Sequence, residues 1–444
     1  MERKAKRESR GAFLKGAAWI AAGGFIAKLI GALYRIPLTN LIGGRGLGLY
    51  QLVYPVYCML LTVSATGIPS SIAKLTAERI AKHENDRAVL KTAMRLFLLI
   101  GVFGSLLMAL IAPILAKAQG SREVLGGYYA LAPSVFFVSA ISVFRGWFQG
   151  RNNMFPTALS EIIEQVVKVG FGLLFAYLFQ GDIPKAVVFL LLAVSLSELA
   201  TLFLMLFLYK RVPAPDLPKN QGGMVEVKTI IKLSVPVTFS SILLPLSALL
   251  DSVLVPRFLS AYASDAVTLY GLFAGGAVTV INLPVSVCYG LAAASVPRVA
   301  SAAKGEGSAR KAVFFALGIT LAVGAVSALG LYLFAEPAAK IIFRSLAGEE
   351  LALLIELIKA FSISALTLSC VQTLSACLTA QGKPQYAALS MLIALTLKTG
   401  LYLLFLPKRE ISVFGLAYAT NIAYAVAFLL DLLYNIVVSK KKKV

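Results

Sequence analysis

Residues 96–115 read LFLLIGVFGSLLMALIAPIL, a run of apolar side chains and small residues without a single charge. At about 1.5 Å of rise per residue, a helix of this length crosses the ~30 Å hydrocarbon core of a bilayer. Residues 186–209 form a second run of the same kind. The rest of the chain follows suit. Of its 444 residues, 59% are hydrophobic and only 14% charged, with a mean hydropathy of +0.82. Soluble domains average about 45–50% apolar and about 25% charged. The fold class is therefore an all-α polytopic membrane protein, because lipid admits only helices or closed barrels and the alternation of a barrel is absent.

About twelve spans emerge, near 11–34, 50–73, 92–116, 124–148, 157–179, 186–209, 229–258, 266–296, 310–335, 351–380, 385–406 and 411–438. The net charge of +21 would suggest nucleic acid in a soluble protein. Here the charges cluster in short loops and at the ends, so membrane orientation explains them and no nucleic-acid partner is expected. With the N-terminus in the cytoplasm, the inner side collects well over twice the lysines and arginines of the outer, which places both termini inside a cell membrane. Arg3, Lys4, Lys6, Arg7 and Arg10 imitate the start of a signal peptide, but the following apolar run is too long and reads as a retained span. The tail Lys440–Lys443 is an orientation signal that could also meet anionic lipid.

The polar break at 210–228, with Pro213, Pro215 and Pro218, separates two halves. The expected domains are a six-helix lobe over 1–210, a cytoplasmic linker over 211–228 and a second six-helix lobe over 229–444. Internal echoes support a duplication. QGRNNMFPTALSEIIEQVVKVG (149–170) resembles QGKPQYAALSMLIALTLKTG (381–400), matching Gln149 with Gln381, Ser160 with Ser390 and Lys168 with Lys398 across a two-residue gap. RIPL and LGLYQL within 35–52 likewise resemble VPRF and VTLYGL within 255–272. Six spans separate the copies, so both keep one membrane orientation, a parallel repeat with its site between the halves.

Charges inside spans are expensive and thus the first functional candidates. Lys15, Lys28 and Arg35 lie on span 1, Glu161, Glu164 and Lys168 on span 5, Glu198 on span 6, Asp251 on span 7, Lys359 on span 10 and Lys398 on span 11, while Arg298 closes span 8. Lys15 and Arg35 lie near span ends, where snorkelling also accounts for them. Lys28, seven residues before Arg35, falls near the same helical face and reads as lining a polar cavity. Glu164 and Lys168, four apart in the favourable order, can neutralise each other. Asp251 needs a partner, expected from the opposite half. Glu198 and Lys359 sit close to span edges.

The chemistry of covalent catalysis lacks material. His83 is the single histidine, and Cys58, Cys288, Cys370 and Cys377 lie inside spans without ligand spacing. The stretch GGRGLG (43–48) imitates a phosphate loop but follows a hydrophobic helix and lacks the Lys-Ser/Thr ending. Glycines and prolines within the spans serve close helix packing or bending. An enzyme, a metal site and a cofactor are all unexpected.

The stretch KGAAWIAAGGFIAKLIGALYRIPLTNLIGGRGLGLYQLVYPVY (15–57), with SATGIPSSIAKLTAERIAK (64–82) and the QG turn at 149–150, resembles the stage V sporulation protein B group of polysaccharide-type exporters. That group sits in the MOP superfamily with lipid II flippases and multidrug/cation antiporters of the MATE type. The resemblance implies two six-helix lobes, alternating access and export of a lipid-linked saccharide or peptidoglycan precursor. It also implies a cationic cavity for a pyrophosphate, and Lys28 and Arg35 occupy comparable places. Many relatives have fourteen spans, the additional pair being associated with the lipid tail; twelve are found here.

The expected function is therefore a flippase exporting an anionic lipid-linked sugar precursor for the cell envelope or spore cortex. The expected cavity cations are Lys28, Arg35, Lys398 and Arg298. Asp251, Glu161, Glu164 and Lys168 are the candidates for ion coupling or charge pairing. No cofactor is needed; H+, Na+ or the membrane potential supplies the drive. The expected partners are membrane lipids and the lipid-linked saccharide, and a monomer satisfies the design. A MATE-type multidrug/cation antiporter and a non-transporting membrane scaffold are the rival readings.

Overall fold

The computed structural model describes residues 2–213, 227–303 and 308–440, apart from the side chains of most residues before Gly23 and of several others, chiefly within 236–297. Among the described residues every regular element is a helix. The chain begins with α1 (Glu2–Leu61), α2 (Ile68–Ala81), α3 (Arg87–Ala118), α4 (Leu125–Gly150), α5 (Phe155–Leu178) and α6 (Ile183–Lys210). It continues with α7 (Val227–Ser241), α8 (Leu243–Leu259), α9 (Ala266–Gly271), α10 (Val278–Ala303) and α11 (Ala309–Leu333). Last come α12 (Ala335–Ile342), α13 (Gly348–Phe361), α14 (Ile363–Ala380), α15 (Pro384–Phe405) and α16 (Phe414–Lys440). Widened helical turns at Thr62–Thr66 and Leu272–Ala277 join α1 to α2 and α9 to α10.

Nine stretches among the described residues are long and apolar enough to cross a membrane. Their difference from twelve has local causes. One stretch, Leu29–Ala81, contains two spans, because α1 continues as helix where a loop was expected and merely kinks at Gly43, φ 63°. The α5 helix carries Glu161, Glu164 and Lys168, too many charges to register as a simple span. The seventh is interrupted at Ile242 between α7 and α8, each too short alone. With these restored, the architecture is the expected twelve-helix bundle.

The spans are built with small residues inward and large apolar ones outward. On α3, Gly101, Gly104, Met108, Ala112 and Ala116 are buried, whereas Leu99, Phe103, Leu106, Leu110 and Ile114 are exposed at helical spacing. On α11, Ala312, Ala316, Thr320, Gly324 and Ala328 recur every four residues on the buried side, with Phe315, Val326 and Leu329 outward. In lipid an outward leucine loses nothing, so close approach and hydrogen bonding hold the helices together. Thr320 and Thr373 share such a bond, 2.9 Å between hydroxyls of α11 and α14.

The chain divides into two compact units, 1–42 with 52–249, and 43–51 with 250–444. The first is cored by Ile68, Ile72, Val89, Phe97, Phe144, Trp147, Phe148, Met205 and Ile230. This packing differs from the sequence division at 211–228. Ile230 of α7 is buried in that core, and the Ser234 carbonyl stands 2.4 Å from where a Cβ on Gly67 would be. Residues 214–226 of the expected linker lie outside the described residues. In the second unit, Val299, Ala312, Val313, Ala316, Leu317, Cys370, Leu374 and Cys377 form one apolar cluster, and Val371, Ala394, Ala423 and Ala427 another. The four cysteines are free thiols.

Candidate functional site

In the first unit, small residues let α1 lie against the polar face of α5. A Cβ on Gly23 would stand 2.6 Å from the Ala158 Cβ, and on Gly24 or Gly31 it would stand 3.6 Å from the Glu161 carboxylate or 3.3 Å from the Gln165 amide oxygen. Beside this contact lies a buried charge cluster drawn from four helices. Arg145 of α4 donates from Nε to the Ser160 hydroxyl at 2.9 Å and from Nη2 to Glu164 Oε2 at 3.0 Å. Both partners of the Arg145–Glu164 pair are less than a fifth exposed. From α6, Glu198 is 4% exposed and accepts a hydrogen bond from the Tyr57 hydroxyl at 3.3 Å. Lys168 is attracted by Glu164 and Glu198 and repelled by Arg35.

The second unit holds a simpler arrangement. Lys398 of α15 donates to Asp251 Oδ2 of α8 at 2.8 Å, and its ammonium sits 5.3 Å from the centre of the Tyr402 ring. Only 5% of the lysine side chain and 17% of the aspartate is exposed. Such a pair is tolerable in lipid because each charge neutralises the other.

Against the sequence expectations, the clusters sort the candidates clearly. Arg35, Glu164 and Lys168 share the first cluster. Lys398, expected as a cavity cation, is engaged by Asp251, and Asp251 finds its partner in its own unit instead of the opposite half. Arg298 is exposed, its guanidinium 5.0 Å from the Phe315 ring centre. Glu164 bonds to Arg145 and attracts Lys168 electrostatically, so the expected i,i+4 neutralisation is not its main contact. Glu198, read as near an edge, is deep in the bundle because α6 begins at Ile183 and ends at Lys210. Lys359 pairs with Glu356 at 2.7 Å on the exposed side of α13. Lys28 and Lys15 lie on α1, and their side chains fall outside the described residues, as does the tail 441–444. Among the described residues no group of three His, Cys, Asp or Glu side chains could hold a metal.

The model of the polysaccharide biosynthesis protein family matches residues 13–303, about two thirds of the sequence. The chain belongs to that family. Stage V sporulation protein B of Bacillus subtilis (strain 168) is 26% identical over 426 residues, covering 92% of this chain and 80% of the relative. A multidrug resistance MATE family transporter of the MOP superfamily, solved inward-facing, matches with a TM-score of 0.81 at 17% identity, over 94% of this chain and 96% of that one. The lipid II flippase MurJ, solved inward closed, matches at 0.71 and 14% identity, over 94% and 87%. The fold is thus the one these solved transporters share, and the resemblance drawn from residues 15–82 holds.

In this family member, two buried ionisable residues do not appear among the candidates from the sequence: Arg145, which ties the first cluster together, and Asp431, which lies apart from both clusters. Arg145 falls inside the predicted span 124–148, seventeen hydrophobic-rich residues after Tyr128, which was signal enough. Asp431 lies inside the predicted span 411–438 and is fully buried. A survey of every charge within every span finds both. Tyr57 is different, since nothing in its neighbourhood announces that it meets Glu198.

Proposed function

We propose that the protein is a flippase that exports an anionic lipid-linked saccharide or peptidoglycan precursor by alternating access, for cell-envelope or spore-cortex synthesis. It is a transporter and not an enzyme, it works in the cell membrane with both termini in the cytoplasm, and its partners are membrane lipids and the lipid-linked substrate. The observation that carries this reading is the gathering of three basic residues, Arg35, Arg145 and Lys168, with Glu164 and Glu198 in one cluster of the first unit. In a medium of low dielectric constant, basic groups held within a bundle attract an anion strongly. A pyrophosphate head group near the bilayer centre needs such a place, because its passage otherwise costs at least several kcal/mol. Membership in a polysaccharide biosynthesis family supports a saccharide-bearing cargo.

The test is translocation of a fluorescent polyprenyl-diphosphate saccharide in reconstituted vesicles. Arg35→Ala and Lys168→Ala should each lower the rate at least tenfold, and Lys28→Ala should do the same. A neutral-headed lipid should not be moved by any of these proteins. Wild-type rates in all three variants would sink the assignment.

One observation favours a second reading, a cation-coupled multidrug antiporter. Glu164 and Glu198 stand in the same cluster as the basic residues, and carboxylates are what such coupling uses. Vesicles that expel a lipophilic cation in exchange for H+ or Na+, and leave the saccharide lipid in place, would select it.

A further inference from the structure

Asp431 belongs to neither charge cluster. It lies on α16, fully buried. One carboxylate oxygen accepts a hydrogen bond from the Ser375 hydroxyl of α14 at 2.6 Å, and the other accepts one from the Ser390 hydroxyl of α15. Three helices are thereby pinned at one carboxyl group. The pinning continues along α16: Gln381 donates to Asn435 at 2.9 Å, Asn435 donates to the Leu374 carbonyl at 3.1 Å, and Ser439 donates to Gln381 at 3.2 Å. This seam leads from Asp431 to the turn between α14 and α15.

Its neighbours on α16, Phe428 and Leu432, pack on an apolar cluster of α10, α11 and α14 that holds Val299, Ala312, Ala316, Leu374 and the Cys377 thiol. From α15 comes the Tyr386 phenol, which stacks on Tyr434. Of the cations on α11, α13 and α15, Lys398 is engaged by Asp251, Lys359 by Glu356 and Arg310 by the Phe314 ring, while Lys311 is exposed. Among the described residues no lysine, arginine or histidine makes an ion pair with Asp431. An ionised carboxylate so placed has two hydroxyl donors and no ion-pair partner among the described residues, which is costly within a bundle. A neutral carboxylic acid suits the same site, since each serine hydroxyl can donate or accept.

We infer that Asp431, with Ser375 and Ser390, is a proton-binding site of the second unit. The proton resides on the Asp431 carboxyl while the seam of α14, α15 and α16 is closed. It leaves to water when these helices part and the carboxylate becomes hydrated, and it returns before they close. Its use as the driving ion for transport rests on the flippase reading above; the binding site does not.

The experiment is infrared spectroscopy of the full-length protein in lipid, titrated with acid and base, with flipping measured on the same vesicles. At neutral pH the wild type should display the C=O stretch of an undissociated carboxyl group that Asp431→Asn lacks. Ser375→Ala and Ser390→Ala should shift that band by removing its hydrogen bonds, and they keep the test available should the asparagine variant fail to fold. In transport, Asp431→Asn should abolish the response to an imposed pH gradient. An unaltered band in all three variants, or a neutral-pH wild type with Asp431 already ionised or holding Na+, overturns the site. A correct band in a protein that flips no saccharide lipid retains the site and removes the flippase.

Discussion

At the scale of single residues, the polar side chains outside the spans can be judged by titration. Asp265 precedes α9 and accepts the Thr268 amide at 3.0 Å, the Thr268 hydroxyl at 2.6 Å and Arg45 Nη1 at 3.2 Å. Burial works against its ionisation, but the Thr268 hydroxyl and amide and the Arg45 guanidinium outweigh it and hold the carboxyl below its ordinary value. A depressed carboxyl stabilises the fold fully above its unfolded value of about 3.9, and that contribution is lost as the pH falls through the folded value. The ion pair is nearly half exposed, so the helix cap supplies most of the effect, ~1 kcal/mol. Asp265→Ala should therefore lower the thermal midpoint in detergent near neutral pH, with the difference from wild type shrinking towards about pH 3. Asp265→Asn, which retains the cap, should fall between them. A gap between alanine variant and wild type that stays constant with pH would refute this account.

Elements are where the sequence was most and least legible. Length, hydropathy and the small-in, large-out spacing of α3 and α11 are local properties, and they gave the helices their place. The break expected between the first two spans failed because Gly43 alone turns the chain. Its φ of 63° lets α1 kink and resume, so GGRGLG is helix instead of loop. Within the second unit this stretch is packed through glycine: a Cβ on Gly48 would meet the Val267 carbonyl at 2.1 Å, and one on Gly271 would meet the Gly44 carbonyl at 2.4 Å. Gln51 adds a hydrogen bond to the Ala274 carbonyl at 2.7 Å. The two kinds of glycine should respond differently to alanine. Gly43→Ala meets no atom within 4 Å and should cost only the backbone conformation at φ 63°, ψ −170°, which is essentially glycine's own, roughly 1–3 kcal/mol. Gly48→Ala forces backbone apart and should lower the thermal midpoint considerably more. The reverse order would mean that the kink, not the close approach, maintains the segment.

For the whole molecule, the internal repeat proved the most informative pattern, though it marks positions and not partners. Ser160 and Ser390, matched in the sequence, both tie α5 or α15 to a neighbouring helix, one through Arg145 and the other through Asp431. Lys168 and Lys398, likewise matched, both lie in the field of carboxylates, Glu164 and Glu198 attracting one and Asp251 bonding the other. Duplication preserved the places and changed the chemistry, so one-dimensional reading recovered the candidates while missing what each one touches. The two units differ in consequence: Lys398 is held by Asp251 in a single pair, whereas Lys168 stands in the field of Glu164, Glu198 and Arg35 together. An anionic cargo is in turn sensitive to voltage. With the pH gradient clamped to zero, an interior-negative potential should shift the saccharide lipid outward by about 2.3 kcal/mol per charge for each 100 mV, and reversing the potential should reverse the distribution. Flipping that ignores the sign of the potential would mean that the cargo crosses as a neutral species, and the proposed anionic cargo would be wrong.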